Sequence, residues 1–208
     1  LYHQLLHMRE MVLKYGFYDA NLTWTYRPDS NNTLRIDYYS GQDDGELNDM
    51  VSVYDGKLKW NNYLGALHWT RRMGRATLQQ TAYLSTYGNE FSTSFQNIHL
   101  RLPSSITDWG YKARFSLAPL NVHAAVVYHR LRLQSPEVSG DRQYNSPSQQ
   151  KQRTLETSLG ADIALPLAEH WQLTGGLRAT AYRSPDATFY GVDPLLNVVW
   201  QSPVGTFL

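Results

Sequence analysis

Cysteine is absent from this 208-residue chain, and no apolar run is long enough to form a membrane-spanning helix. The first absence excludes thiol nucleophiles, disulfides and zinc sites built on cysteine. The second excludes a helix of roughly 20 consecutive apolar residues. A large net charge is also missing, because 19 lysines and arginines face 18 acids and the formal net charge is +1. We therefore expect no nucleic-acid partner, since such proteins usually carry a basic excess.

Motifs of nucleotide-binding and hydrolytic enzymes are missing as well. The chain contains no G-x-S-x-G, P-loop or dinucleotide-binding fingerprint. His123 and His129 share a face of one predicted strand, but about 20 Å separates them, which is too far for one metal ion. His3 and His7 have helical spacing, yet no glutamate follows His3 as in a metalloprotease motif. We expect no enzymatic activity, no metal site and no cofactor.

Aromatic residues are abundant, with 15 Tyr, 6 Trp and 6 Phe, and many of them recur at every second position. From Tyr18 to Tyr26, apolar and polar residues alternate strictly, which is the period of an extended strand with two different faces. Alternation of this kind predicts an all-β fold, an antiparallel up-and-down meander of about nine to ten strands, with residues 1–16 unassigned. The predicted strands cover about 18–26, 33–38, 58–71, 76–87, 108–117, 121–133, 155–165, 171–179 and 195–201, and a further one begins as the chain ends.

The predicted connections alternate in length along the chain. Short turns are expected at 28–32, 72–75, 118–120, 166–170 and 202–205, and long loops at 40–57, 88–107, 134–152 and 184–194. The long loops are rich in Gly, Ser, Asn, Asp, Gln and Pro. A meander in the bacterial outer membrane has this asymmetry, because its periplasmic turns are short and its extracellular loops are long.

The apolar faces of the predicted strands carry no charged residue, as expected of strands in lipid, where a charge at the midplane costs about 2–4 kcal/mol. Gln80 falls on this face and leaves the register of 76–87 uncertain. Aromatics at both strand ends would mark two membrane interfaces. Tyr18 and Tyr26 are about 26 Å apart along the strand, or about 20 Å in height at a tilt near 40°. The predicted interface aromatics are Tyr18, Trp24, Tyr26, Trp69, Trp109, Phe115, Tyr128, Trp171 and Trp200.

Three stretches resemble strands of TonB-dependent outer-membrane receptors. Residues 165–182 are similar to a family hairpin in which a Pro-containing turn precedes Trp171 and a strand with Gly176-Leu177-Arg178 and a closing Tyr182. Asp193-Pro194-Leu195-Leu196 and the stretch Trp109-Gly110-Tyr111-Lys112-Ala113-Arg114-Phe115 also resemble that family.

The resemblance implies a 22-stranded transmembrane β-barrel in the outer membrane of a Gram-negative bacterium. Such a barrel holds an N-terminal plug and imports a scarce nutrient with energy delivered through TonB. The chain shows no TonB box, plug or C-terminal barrel strand, so we expect residues 1–208 to be an interior piece of the barrel domain. The implied partners are outer-membrane lipid, the plug, TonB and a small ligand such as a siderophore, cobalamin or a glycan.

Ligand contacts are expected in the long loops, where recognition residues concentrate. The acids of loop 40–57 would meet a cation or serve as a solubilising tip, and loop 134–152 would order over a ligand. Two aromatics of loop 184–194 would form a platform for a sugar or a chelate. The candidate residues in the loops are Asp43, Asp44, Tyr54, Arg142, Tyr144, Phe189 and Tyr190.

Charged residues on the water-facing side of the strands would line the lumen of a barrel. The candidates for contact with a ligand or the plug are Lys112, Arg114 and Arg178. The alternative is an ordinary solvated face whose charges pair across strands.

Two other architectures fit the same alternation. One is a small complete outer-membrane barrel, either a porin or a protease whose acids and histidines cluster at the loop end of the lumen. The other is a soluble β-sandwich that binds glycans through surface aromatics, because half-buried antiparallel strands also alternate.

Overall fold

The computed structural model describes residues 2–8, 11–49, 54–95, 97–134, 136–139, 149–202 and 205–207. These residues form one twelve-stranded antiparallel sheet in chain order, except that β8 pairs with β6 and β7 is followed by β9. The predicted all-β, up-and-down meander is confirmed. Among the described residues no helix is long and apolar enough to cross a membrane. The strands are β1 (Tyr2–Met8), β2 (Met11–Tyr26), β3 (Asn32–Asp49), β4 (Tyr54–Met73), β5 (Ala76–Phe95), β6 (Ile98–Leu117), β7 (Leu120–Gln134), β8 (Glu137–Ser139), β9 (Gln149–Ala168), β10 (Trp171–Arg183), β11 (Thr188–Ser202) and β12 (Gly205–Phe207).

The predicted short turns at 28–32, 72–75, 118–120 and 166–170 are present, and local chemistry explains two of them, whereas 203–204 of the fifth lie outside the described residues. Between β2 and β3, the carboxylate of Asp29 accepts hydrogen bonds from the backbone N–H groups of Asn31 and Asn32, both at 2.8 Å. The Asn32 side chain donates to the same carboxylate, and these bonds hold the pKa of Asp29 below its usual value. Between β4 and β5, Gly74 has a φ of +61°, a conformation that residues with a Cβ rarely adopt. A Gly at this point therefore allows the tight reversal.

The expected long loops are much shorter than predicted, and this is a correction. β3 and β4 extend through most of 40–57, and β5 and β6 extend through nearly all of 88–107. Within 134–152, β8 takes the place of β7 beside β6, and within 184–194 the strand β11 begins at Thr188. Four strands therefore reach 20 residues, about twice the length needed to cross an outer membrane.

Residues 1–16, which were left unassigned, also belong largely to strands. β1 pairs with the first half of β2, from Tyr2 opposite Phe17 to Met8 opposite Met11. His3 and His7 therefore lie on an extended backbone, and their helical spacing has no structural counterpart.

In the part of each long strand nearer the short turns, one face of the sheet is apolar. We call the face that carries Trp24, Trp69 and Trp171 the outer face, and the opposite one the inner face. Directly opposed residues share a face, and the rows Leu34–Trp69 and Trp109–Tyr128 show that the apolar side chains align. All nine predicted interface aromatics lie on the outer face by this register, and their role at a membrane stays a prediction.

Several outer-face aromatics stack on one another. The ring centroids of Trp24 and Tyr26 are 5.8 Å apart, and those of Trp171 and Trp200 are 6.0 Å apart. Gln80 does lie on this face, as its position in the alternation indicated, and it accepts a hydrogen bond from the Tyr111 hydroxyl. A polar side chain among apolar neighbours is thereby satisfied.

The described residues form a single layer with almost no enclosed core. Val127 is the one buried hydrophobic residue of this part of the chain, and Leu159 and Leu177 on the outer face are each 61% exposed. A β-sandwich buries its apolar face against a second sheet. The sandwich alternative is therefore wrong for the described residues, and the outer face needs another apolar environment.

Two glycines of the inner face make room for large side chains of the neighbouring strand. A Cβ at Gly110 would overlap the ring of Tyr83, and a Cβ at Gly160 would overlap the ring of His123. Both rings therefore lie flat over the sheet, which fixes their direction along the inner face.

Candidate functional site

The inner face holds a cavity of about 910 Å³ that spans β5 to β11. The predicted lumen residues Lys112, Arg114 and Arg178 all line it, so the structure brings these three together. Arg178 pairs with Asp193 at 3.1 Å, whereas Lys112 makes no ion pair within the described ranges and lies 5.2 Å from the centre of the Tyr83 ring. The ammonium group of Lys112 is thus a charge open to an anionic ligand.

Asp162 is the most buried acid of this cavity, with 8% of its surface exposed. It accepts a hydrogen bond of 2.7 Å from Asn121, and the nearest nitrogens of Arg114 and His123 lie 3.8 and 3.9 Å from its carboxylate. A buried carboxylate is tolerated when hydrogen bonds and opposite charges surround it. Ion pairs across strands, the alternative reading of this wall, therefore account for Arg114 and Arg178.

His129 lies between two acids higher on the same face. Its Nδ1 is 2.9 Å from Asp108, and its Nε2 is 3.8 Å from Glu156. No group of three or more His, Asp or Glu side chains in the described ranges has the geometry of a metal site. His123 also lines the cavity, but the acid near it is Asp162. The two histidines therefore contact different carboxylates.

The polarity of the two faces reverses along the long strands. On β4, the outer face reads Trp69, Leu67, Gly65 and Tyr63 and then changes to Asn61, Lys59 and Lys57. The inner face of the same strand changes in the opposite direction, from His68 through Asn62 to Trp60 and Leu58. Because the register of β4 and β5 is continuous over 20 pairs, no bulge causes the change. The reversal of polarity therefore comes from the order of the residues along the strand.

Apolar side chains consequently form a surface at the loop end of the inner face. Leu58, Phe91 and Leu102 lie in one row across β4, β5 and β6, and Tyr87, Ile106 and Leu131 lie in another across β5, β6 and β7. Leu58 and Ile106 are 43% and 41% exposed. We define the upper inner surface as these two rows together with Phe17, Tyr39, Trp60 and Leu64.

The outer face at the same level carries charges that pair across β3, β4, β5 and β6. Lys57 contacts Glu46 at 2.9 Å and Arg101 contacts Glu90 at 2.6 Å. The hydrogen bond from Arg101 lowers the pKa of Glu90, and the hydrogen bond to Glu46 raises the pKa of Lys57. This end of the sheet is therefore built to meet water on its outer side.

The predicted loop residues are distributed over both faces. Asp43 is on the inner face, where it accepts a 2.5 Å hydrogen bond from the Tyr15 hydroxyl. This hydrogen bond raises the pKa of Tyr15. Asp44 is on the outer face, 3.8 Å from Lys59. The two acids were expected together on a loop, but they are adjacent in β3 and point to opposite sides.

Phe189 and Tyr190 were expected to form one aromatic platform on a loop, and this interpretation is wrong. They are consecutive residues of β11, with Phe189 opposite Tyr182 on the inner face and Tyr190 opposite Ala181 on the outer face. The backbone of Tyr54 pairs with Asp49 and Phe95, and its side chain lies outside the described part of the structure. Arg142 and Tyr144 also lie outside the described residues.

The upper inner surface was missed by the sequence analysis because its alternation has the opposite sign. The signal was present in Lys57-Leu58-Lys59-Trp60 and in Arg130-Leu131-Arg132-Leu133. Each stretch alternates strictly, but its apolar residues occupy the parity that is polar lower on the same strand. Both stretches overlap the predicted strands 58–71 and 121–133, for which the sequence predicts a single apolar face, the outer one.

Comparison with solved structures shows a fold likeness. The chain superposes on BauA, the ferric preacinetobactin receptor from Acinetobacter baumannii, with a TM-score of 0.64. The alignment covers 97% of this chain and 40% of BauA, at 11% sequence identity. At this identity the likeness concerns the fold alone. No family model matches the chain, and no curated protein matches it in sequence.

Proposed function

We propose that the chain forms part of the barrel wall of a TonB-dependent receptor in the outer membrane of a Gram-negative bacterium. One observation carries the proposal: the outer face has an apolar band without charged side chains between two aromatic levels, and the inner face opposite this band is polar. An apolar face of this kind is stable against lipid, and the single-layered sheet offers it no protein partner among the described residues. The fold likeness to a ferric siderophore receptor supports the same assignment.

The proposed ligand is a small nutrient molecule, such as a ferric chelate, cobalamin or a glycan. Above the level of the band, the upper inner surface offers exposed aromatic and aliphatic groups, and at the level of the band the inner cavity offers the unpaired ammonium of Lys112. A ligand with an apolar body and an anionic group would use both zones. We assign the chain a role in binding and transport and no catalytic role. The plug and TonB belong to the proposal for the whole receptor, since this chain spans 40% of BauA.

Trp60 provides a direct test, because it is the one tryptophan of the chain on the inner face. In the native gene product, purified in detergent, a ferric chelate bound over the upper inner surface should quench part of the tryptophan fluorescence. Trp60→Phe should remove most of this quenching, whereas Trp109→Phe, on the outer face, should leave it intact. The measurement is a fluorescence titration with ferric chelates, cobalamin and oligosaccharides.

Uptake in cells completes the test. Cells that lack the gene, or that lack TonB, should lose accumulation of the radiolabelled ligand that quenches Trp60. The proposal fails if no ligand class binds or if uptake does not depend on TonB. Peptide hydrolysis by the purified protein that disappears in His129→Ala would instead support the outer-membrane protease, since His129 lies between two acids.

A further inference from the structure

The outer face of β7 and β9 carries a cluster of basic residues immediately above the apolar band. Arg130 lies directly opposite Arg153, and Arg132 lies directly opposite Lys151. Tyr128, which lies opposite Leu155 at the top of the band, is two residues below Arg130 on β7. Two residues along a strand correspond to about 7 Å. We call Arg130, Arg132, Lys151 and Arg153 the basic patch.

No acid neutralises the basic patch within the described ranges. The outer-face acids on the nearby strands, Glu90 and Glu137, contact Arg101 instead, at 2.6 and 3.7 Å. None of the four patch residues takes part in an ion pair with another described residue. The Nε of Arg130 is buried and has no hydrogen-bond partner among the described groups. The patch therefore presents positive charges that no described acid neutralises.

Like charges that face each other across two strands destabilise a sheet. At the same level of β3 and β4, the chain uses the opposite arrangement, because Glu46 lies between Lys14 and Lys57. β7 and β9 thus carry two pairs of like charge at a level where β2, β3 and β4 alternate basic and acidic residues. An external anion would convert this repulsion into attraction.

The position of the patch restricts the source of that anion. Lower on the outer face, an apolar hollow of about 690 Å³ spans β3 to β7 and has Trp109, Val126 and Tyr128 in its lining, so it borders the patch at β7. Basic side chains just above an aromatic level lie at the depth of lipid headgroups. Arginine binds phosphate through two parallel N–H donors. A lipid with phosphate groups would place its headgroup on the patch and an acyl chain along the hollow.

We infer that the basic patch binds a phosphorylated membrane lipid, with the acyl chains against the apolar hollow. The inference rests on the membrane-embedded barrel wall proposed above, but it does not depend on the nutrient that is transported. The two cross-strand pairs are two residues apart, so they would engage two phosphate groups on one headgroup. A bisphosphorylated lipid should therefore bind more tightly than a zwitterionic one.

The test uses the native gene product in neutral detergent, titrated with diphosphoryl lipid A and, separately, with phosphatidylcholine. Native mass spectrometry counts the bound lipids and gives their dissociation constants. We expect diphosphoryl lipid A to bind at least about tenfold more tightly than phosphatidylcholine. Arg130→Gln combined with Arg153→Gln should weaken lipid A binding at least about tenfold, since each basic residue at a membrane surface contributes about a fivefold step.

Matched variants separate the patch from general charge. Lys14→Gln combined with Lys57→Gln removes two charges from the same face and should change lipid A binding less than about twofold. Arg130→Lys combined with Arg153→Lys keeps the charge and should retain binding within about threefold, which controls for folding. Equal binding of both lipids, or an equal loss in the Lys14 and Lys57 variant, would overturn the inference.

Free phosphate is tested as the other source of the anion. Inorganic phosphate at millimolar concentration should not displace lipid A, and displacement would show a site for a free anion rather than a lipid. A protein that binds lipid A through the patch but imports no nutrient would keep this inference and lose the receptor. A protein that imports a nutrient but shows no lipid preference would keep the receptor proposal and lose this inference.

Discussion

At the scale of single residues, the inner face depends on close contacts between glycines and large rings. Gly110 and Gly160 lie under Tyr83 and His123, where a Cβ would overlap the ring. Gly65 on β4 is different, because a Cβ there would meet nothing within 4 Å. The same residue type therefore serves different purposes, and only the neighbouring strand reveals which one applies.

Gly110→Ala should destabilise the native protein by about 1–3 kcal/mol, the usual cost of overpacking a fitted site. Gly65→Ala is the matched control and should stay within about 0.5 kcal/mol of wild type. The measurement is urea unfolding in detergent or lipid vesicles. Adding Tyr83→Ala to Gly110→Ala should remove most of the penalty, because the overlapping ring is gone. Equal stability of the two single glycine variants would contradict the contact.

The pair of Glu90 and Arg101 gives a pH-dependent contribution to stability. The hydrogen bond from Arg101 lowers the pKa of Glu90, so the folded state favours the ionised carboxylate. This contribution is present above the pKa of the unfolded chain, near 4.5, and is lost as the pH falls through the lower folded pKa. Because the pair is partly exposed, we expect less than about 1 kcal/mol.

The comparison of wild type with Glu90→Gln checks this prediction. Wild type should be the more stable protein at pH 7, and the difference in unfolding free energy should disappear as the pH falls through the lowered pKa of Glu90. A difference that grows on acidification would have the wrong sign.

At the scale of elements, strand existence could be predicted from sequence, whereas strand length could not. From Tyr18 to Tyr26 the apolar residues keep the same parity, and this stretch lies within β2 as predicted. Phe91 and Phe95 occupy the opposite parity, yet the sequence predicts a loop at 88–107, most of which lies within β5 and β6. An apolar pattern indicates which face meets an apolar environment, and it does not indicate where backbone pairing ends. Pairing continued because cross-strand ion pairs stabilise the upper segment.

The candidate site residues likewise divide into those that the sequence could place on a face and those that it could not. The parity of Lys112, Arg114 and Arg178 was sufficient to place them on one face, and the structure adds that they share one cavity. The composition of 184–194 predicts a loop for Phe189 and Tyr190, and strand parity does not apply to a loop. Their positions follow at once when β11 is known to begin at Thr188. Assignments made inside strands were therefore more accurate than assignments made outside them.

At the scale of the whole molecule, the sheet is amphipathic and has no second layer among the described residues. Its outer face has large exposed hydrophobics throughout the band, and β1 and β12 form its two edges. Unpaired edges and a bare apolar face both favour association with other molecules. Lipid below the aromatic level and further strands at the edges would satisfy both.

Leu159 and Ser158 provide a test of this sidedness on a single strand. Leu159 is 61% exposed on the outer face in the middle of the band, and Ser158 lines the inner cavity. Leu159→Arg should destabilise the protein in lipid vesicles by about 2–4 kcal/mol, the cost of a charge at the bilayer midplane. Ser158→Arg should cost much less, because its side chain meets water. Folding equilibria in vesicles give both values, and equal costs would argue against a lipid-facing band.

In the membrane setting proposed above, the reversal of polarity along the strands would also determine how deeply the protein is immersed. If a long strand moved two residues deeper, Lys59 and Arg130 would approach the hydrocarbon. If it moved two residues outward, apolar side chains at the short-turn end would enter water. Either displacement is opposed on several strands at once. The level at which the two patterns meet would thus set the height of the upper inner surface above the membrane.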